Sequence, residues 1–337
     1  QFDVAPGTIV TIEDDITDES GNGQANGWWS LRKCGDGTLV LSGNNTYTGG
    51  TMVCGGTLQV TDERNLGTDY VSLNANATLA ITGNATFDQD LYVGANGTLR
   101  IAPGRTVTWN GNVYDNSEFL DELGPLHVTG GGLLALTSTD NLYHGGTIVG
   151  GNSTLLIGAD SALGVEDSSL TLGDAAGRGT LALMPDISFT TDRPITLGTG
   201  GGAVDTRGST VATFNGVVSG PGGLTKLGTG TLVLNNAASS WTGPTSVEAG
   251  TLRLGAPISF SPTAIVNVDA AGLLDLNGFP QAIGSLTGTG QVALGSATLT
   301  VGGGDATSVF GGSITGAGRL VKTGGGIFGL IGSNSYT

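Results

Sequence analysis

The sequence predicts an all-β chain wound as a right-handed parallel β-helix, a solenoid of roughly 15 turns. Three observations carry that prediction. First, one phrase is spelled four times: from Leu31 to Thr51, from Leu126 to Thr147, from Leu224 to Thr245 and from Leu320 to Tyr336-Thr337. Its aromatic landmark falls at Tyr47, Tyr143, Trp241 and Tyr336, in almost equal steps. Second, a shorter phrase recurs inside the long one: Gly37-Thr-Leu-Val-Leu, Gly56-Thr-Leu-Gln-Val, Gly97-Thr-Leu-Arg-Ile, Gly179-Thr-Leu-Ala-Leu, Gly230-Thr-Leu-Val-Leu and Gly250-Thr-Leu-Arg-Leu. The interval from Gly37 to Gly56, matched by that from Gly230 to Gly250, is the length of one solenoid turn. Third, 62 Gly beside 38% hydrophobic residues is too much glycine for an ordinary compact domain and too apolar for a disordered chain.

Residues 1–27 read as an entry or cap segment, with the β-helix proper over 28–337. The segment carries the acidic run Glu13-Asp-Asp-Ile-Thr-Asp-Glu19. Trp28-Trp29 then open the first regular turn, either capping the apolar column or serving as a sugar platform or interface anchor. From Leu31 onward each phrase alternates: in Gly-Thr-Leu-Val-Leu the two Leu share one face while Thr and Val share the other. That is the period of a half-buried strand, and Gly, Asn and Asp punctuate it every few residues. Strands this short, echoed once per turn, cannot bury their own apolar faces. They must stack, rung on rung about 4.8 Å apart. A β-sandwich array is the rival, but it predicts turn signals without the regular echo. The stretch 61–125 is looser, with an irregular excursion near 110–125. There Glu118-Phe-Leu-Asp-Glu-Leu123, before Gly124-Pro125, reads as one short helical turn. Beyond it the phrases return, and Phe214–Gly228 matches Phe310–Gly324 position for position.

Twenty-eight acidic against 12 basic residues give a net charge of −16, which excludes nucleic acid and anionic lipid as partners. No stretch is apolar enough for a membrane-spanning helix. No basic, then apolar leader opens the chain, so a signal peptide is expected to be removed or to lie outside it. The fourth copy stops in mid-phrase, which predicts a fragment of a longer protein.

Candidate chemistry is sparse. Cys34 and Cys54 hold nearly the same station on consecutive turns, so their Cα atoms should stack inside the window a disulfide requires. Such a bridge is expected, worth about 3 kcal/mol for a loop of this size; two free thiols are the alternative. Asp14, Asp15, Asp18 and Glu19 offer clustered oxygens for Ca²⁺, against the reading of a solvated loop. Asp115, Glu118, Asp121 and Glu122 sit in the least repetitive stretch, where a polysaccharide-cleaving β-helix would place paired carboxylates; acidic residues occur throughout the chain, and a structural or solvating role is the preferred reading. There is no Gly-x-Ser-x-Gly elbow, and His127 and His144 lie near no suggestive Ser or Asp phrase. The glycine runs lack the Lys-Ser/Thr of a phosphate loop. No catalytic residue and no cofactor are predicted.

The phrase Leu-x-Lys-x-Gly-x-Gly-Thr-Leu-x-Leu, followed by Tyr/Trp-Thr-Gly-x-Thr, is carried by Leu31–Thr51 and Leu224–Thr245. In it the chain resembles autotransporter passenger domains with autotransporter-associated β-strand repeats. Gly272–Gly290 and Arg193–Asp205 are similar to linking segments of such passengers. The second copy departs, with no Lys in the Lys position and His144 where Thr is expected, and the fourth has Gly326-Ile-Phe-Gly-Leu. The resemblance implies secretion to the surface of a Gram-negative cell through a C-terminal β-barrel outside this chain. It implies adhesion to a host surface, matrix or glycan, or self-association between cells. The other function it allows is a passive stalk for an enzymatic domain, such as a subtilisin-like protease, elsewhere in the protein.

Overall fold

Alternation of inward leucine with outward threonine makes strands of Thr38–Leu41, Thr57–Val60, Thr78–Ile81 and Thr98–Ile101. The structure, a computed structural model, describes residues 1–18, 29–116 and 123–337. Two units divide the chain, Gln1–Ser169 and Leu170–Thr337. Each is right-handed parallel β-helix, and together they hold about 14 turns. The expected number was roughly 15; coils longer than the phrase spacing, among them the one that brings Leu170 into register with Ile195, make the difference. The coil that brings Leu99 into register with Val128 is much longer than the one that brings Leu31 onto Thr51. The short helical turn expected at 118–123 falls mostly on residues outside those described.

In the first unit, Leu39, Leu58, Leu79, Leu99, Val128 and Val149 stand in register on successive coils and are fully buried. In the second, Ala212, Leu232, Leu252, Leu274, Val292 and Ile314 make the equivalent column. Each such side chain contributes roughly 1.5–3 kcal/mol of burial, and only because a neighbour covers it. Ile9–Ile12 pairs in parallel with Thr38–Leu41, so the entry segment already belongs to this ladder. In the second unit two strands, Thr245–Leu254 and Ile265–Asp275, run through a corner, with a register shift between Val247 and Ala249.

Gly56 and Gly250 open Gly-Thr-Leu phrases at φ of 61° and 65°. A Cβ there would sit 2.5 and 2.3 Å from the carbonyl oxygens of Gly35 and Gly230 on the coil before, so both conformation and space demand glycine. Asn76, Asn96 and Asn152 take the same left-handed conformation at other corners, and Asn96 donates its amide to Asn76 Oδ1 at 3.2 Å. No helix among the described residues is long and apolar enough to cross a membrane.

Candidate functional site

The letters of the repeated phrase are fastenings between coils. Lys33 is fully buried and its Nζ donates to the carbonyls of Cys34 (3.1 Å), Gly35 (2.7 Å) and, on the next coil, Gly55 (2.8 Å). Lys226 does the same with Leu227 (2.7 Å), Gly228 (2.8 Å) and Ala249 (3.1 Å). Lys322 donates to Thr323 and Gly324. In the second copy Val128 fills the lysine's place, and Ser153 of the next coil accepts the Gly131 N–H at 2.9 Å. The aromatic landmark closes a second fastening. The Tyr47 and Tyr143 hydroxyls share hydrogen bonds with Thr51 and Thr147 at 2.6 and 2.7 Å, and Trp241 Nε1 donates to Thr245 at 2.9 Å. Two residues earlier, Asn45, Asn141, Ser239 and Asn334 each accept a backbone N–H from the preceding coil, at 2.8 to 3.0 Å.

Two candidate acids of the entry segment, Asp15 and Asp18, are committed to similar tasks. Asp15 Oδ1 accepts the Asn44 N–H at 2.6 Å, and Asp18 takes both the N–H and the hydroxyl of Thr48. The Thr48 hydroxyl, above all, holds Asp18 below its ordinary carboxylate value. Among the described residues no three His, Cys, Asp or Glu side chains gather as a metal site, and Glu19 lies outside them. Trp29 is 58% exposed and lines a hollow of about 240 Å³ with Phe2, Ile16 and Tyr47; Trp28 lies outside the described residues. Cys34 and Cys54 follow the in-register pair Lys33 and Val53, which brings them side by side on neighbouring coils as free thiols. Burial, then the Cys54 thiol beside it, pushes Cys34 upward, while Arg32 donates to Cys54 Sγ at 3.5 Å. Asp115 is engaged by His144, at 2.6 Å to Nδ1 and 3.0 Å to the backbone N–H. Glu118, Asp121 and Glu122 lie outside the described residues.

One outward face gathers aromatic side chains in a way the sequence reading missed. Strands Thr51–Val53, Val71–Leu73, Leu91–Val93 and Val113–Asp115 stack in register and bury their first residues. Of their middle residues, Met52, Tyr92 and Tyr114 are half-buried and form an outward row, while Ser72 among them is buried and accepts the Asn116 amide at 2.9 Å; the row continues to Leu142 through a bridge from Tyr114. Tyr70 precedes its strand and meets Tyr92 edge-on, with centroids 5.4 Å apart at 78°. Tyr92 stacks on Tyr114 at 5.4 Å and 29°. The rings are half-buried and Leu142 is 57% exposed. Asn112 donates to the Tyr114 hydroxyl at 2.9 Å. Burial, then the nearby Asp90 carboxylate, raises the Tyr92 phenol, with Asp69 adding to it. The signal was present as a spacing: Tyr70, Tyr92 and Tyr114 fall at a constant step, close to one coil each. Such a row offers rigid amphipathic contact area, of the residue type that dominates binding hot spots.

The profile of the passenger-associated-transport-repeat family matches residues 31–60 and 224–254, the two copies that carry the buried lysine and the aromatic clasp. The chain is 37% identical over 334 residues to "Adhesin BmaC autotransporter" of Brucella suis biovar 1 (strain 1330), which covers 94% of this chain and 10% of that protein. It is 28% identical over 161 residues to "Probable autotransporter YfaL" of Escherichia coli (strain K12), covering 42% of this chain and 12% of that protein. It is 25% identical over 276 residues to "Uncharacterized lipoprotein YdeK" of the same organism, covering 71% and 21%. The chain thus spans only a tenth to a fifth of the length of these relatives. No solved structure matches it.

Proposed function

Because this chain belongs to the autotransporter passenger domains and carries their transport repeat, we propose that it is an adhesive segment whose contact face is the tyrosine row of the first unit. Membership places the chain at the surface or outside of a Gram-negative cell. The observation that supports adhesion through this face is the outward row Met52, Tyr70, Tyr92, Tyr114 and Leu142. A β-helix needs none of these rings to close its core, since the inward neighbours Leu91, Val93 and Val113 do that. The Brucella relative is named an adhesin, which agrees with the reading. The target is a host or matrix surface, with pairing between like cells as the other use of the same face.

The test is the double variant Tyr92→Ala/Tyr114→Ala in the purified chain, scored for retention on target cells. Two interface tyrosines removed together should weaken retention about tenfold or more while the unfolding midpoint of the chain stays within a few degrees. Undiminished retention would overturn the assignment of this face. A passive stalk would retain nothing even before mutation.

The cysteine pair belongs to the same proposal. In an oxidising exterior, the two thiols give up two electrons and two protons to a thiol–disulfide exchange oxidant and close one S–S bond between coils. Intact mass without reductant should then be two hydrogens lighter than the sequence mass. Two alkylatable thiols in the native secreted chain would contradict it.

A further inference from the structure

Beside the tyrosine row, at the corner that leads into Tyr70 and Tyr92, lies an open groove of about 390 Å³. Asn44, Glu63, Arg64, Leu66, Asp88 and Gln89 line it. We infer that this groove receives the guanidinium of an arginine on a protein partner. The inference rests on the contact reading above and gives its partner a chemistry.

Gln89 is 9% exposed, and its side-chain oxygen is buried with no hydrogen-bond donor. Its amide N–H donates to the Gly67 carbonyl, which fixes which end is the oxygen, and its backbone carbonyl accepts from Trp109 Nε1 at 2.8 Å. Other buried corner amides are satisfied. The oxygens of Asn45, Asn65, Asn141 and Gln281 each accept a backbone N–H, from Ile16, Thr61, Val113 and Phe260. A buried acceptor left without a donor carries the full desolvation cost of that group, so an entering donor gains there.

The charges around it select which donor. Glu63 Oε1 accepts the Asp88 N–H at 2.7 Å, and Asp88 Oδ1 accepts the Asn110 amide at 2.7 Å. Both carboxylates are thereby oriented, and each keeps its second oxygen for a ligand. Arg64 does not neutralise them, because Asp62 grips its Nε and a terminal nitrogen at 3.1 and 2.8 Å. An anionic group would be repelled from this pair, in a chain of net charge −16. A neutral hydroxyl could satisfy Gln89 but would gain nothing from two carboxylates. A guanidinium brings a positive charge and five donors in a planar fork, matched to one amide oxygen and two carboxylates. The adjoining Tyr70 and Tyr92 faces, next to Asp69 and Asp90, suit a second basic side chain of the same segment.

The test titrates the whole chain with a fluorescent arginine–serine alternating peptide and its lysine counterpart, by fluorescence anisotropy. The native chain should bind the arginine peptide more tightly than the lysine one. Gln89→Leu changes no charge, so attraction to the acidic surface at large is untouched by it. It should weaken arginine-peptide binding about tenfold. Glu63→Gln should do likewise, and it keeps the test open should Gln89→Leu fail to fold; Glu248→Gln, in the second unit, should change nothing. Binding that is indifferent to both groove variants, or equal for the two peptides, overturns the inference. If that happens while Tyr92→Ala/Tyr114→Ala still weakens cell retention, the groove falls and the contact face stands. If retention survives the tyrosine changes but the peptide result holds, the groove stands and the tyrosine face falls.

Discussion

Replacing Lys226 by Met should lower the unfolding free energy of the second unit by about 3 kcal/mol. The side chain is fully buried, and its ammonium is the shared donor for three carbonyls, two on its own coil and one on the next. Methionine fills the volume but donates nothing, leaving three inward carbonyl oxygens short of a partner. The measurement is urea unfolding followed by circular dichroism, with Lys33→Met as the parallel change in the first unit. A loss under about 1 kcal/mol in both, no more than one ordinary hydrogen bond, would show that the lysines fill space and fasten nothing. The same residue gives a pH signature. Burial pulls Lys226 down from 10.5 to about 8, with Asp205 opposing. Between those values the unfolded chain binds a proton that the folded chain has shed, so the unfolding free energy rises with pH across that window. The Met variant should lose that rise.

Trp109→Ala should cost about 4 kcal/mol, at the upper end for core truncations. Trp109 is fully buried, in register with Phe87 of the coil before and Leu136 of the coil after. Its ring lies flat on Phe87, with centroids 4.7 Å apart and planes 8° from parallel. Truncation opens a cavity that neighbouring coils, held in a fixed hydrogen-bonded ladder, cannot collapse to fill. It also strips the Gln89 carbonyl of its indole donor. Calorimetry of the variant should show a depressed transition for the first unit with the second unit unchanged. A shift confined to the second unit, or none, would contradict this account of the core.

Much of the fold was legible because a solenoid writes its geometry as repetition. Gly37 and Gly56 predicted the stacking of Thr38–Leu41 on Thr57–Val60, and the observed register places Leu39 on Leu58. The neighbouring stations of Cys34 and Cys54 came from the same spacing. What the sequence hid was anything that faces outward or carries charge inward. Lys33 and Lys226 were letters of a phrase with no role, because a lysine between hydrophobic residues reads as solvent-facing until its carbonyl acceptors are known. The tyrosine row was hidden by drift: the coil from Leu91 to Val113 is slightly longer than that from Thr51 to Val71, and the tyrosines stand on outward positions that the repeated phrase does not mark. Gln89 gives no signal at all in one dimension, since its missing donor exists only once Gly67 and Trp109 are in place. Asp115 drew notice because it falls in the least repetitive stretch, and the fold brings His144 to it from the following coil.

The contact face is tested most directly by a photo-crosslinking amino acid, introduced singly at Met52, at Tyr92 or at Arg253, in the intact chain bound to its target cells. The account predicts covalent adducts from positions 52 and 92 and none from 253, which lies in the second unit. Adducts from 253 with none from 52 and 92 would contradict it.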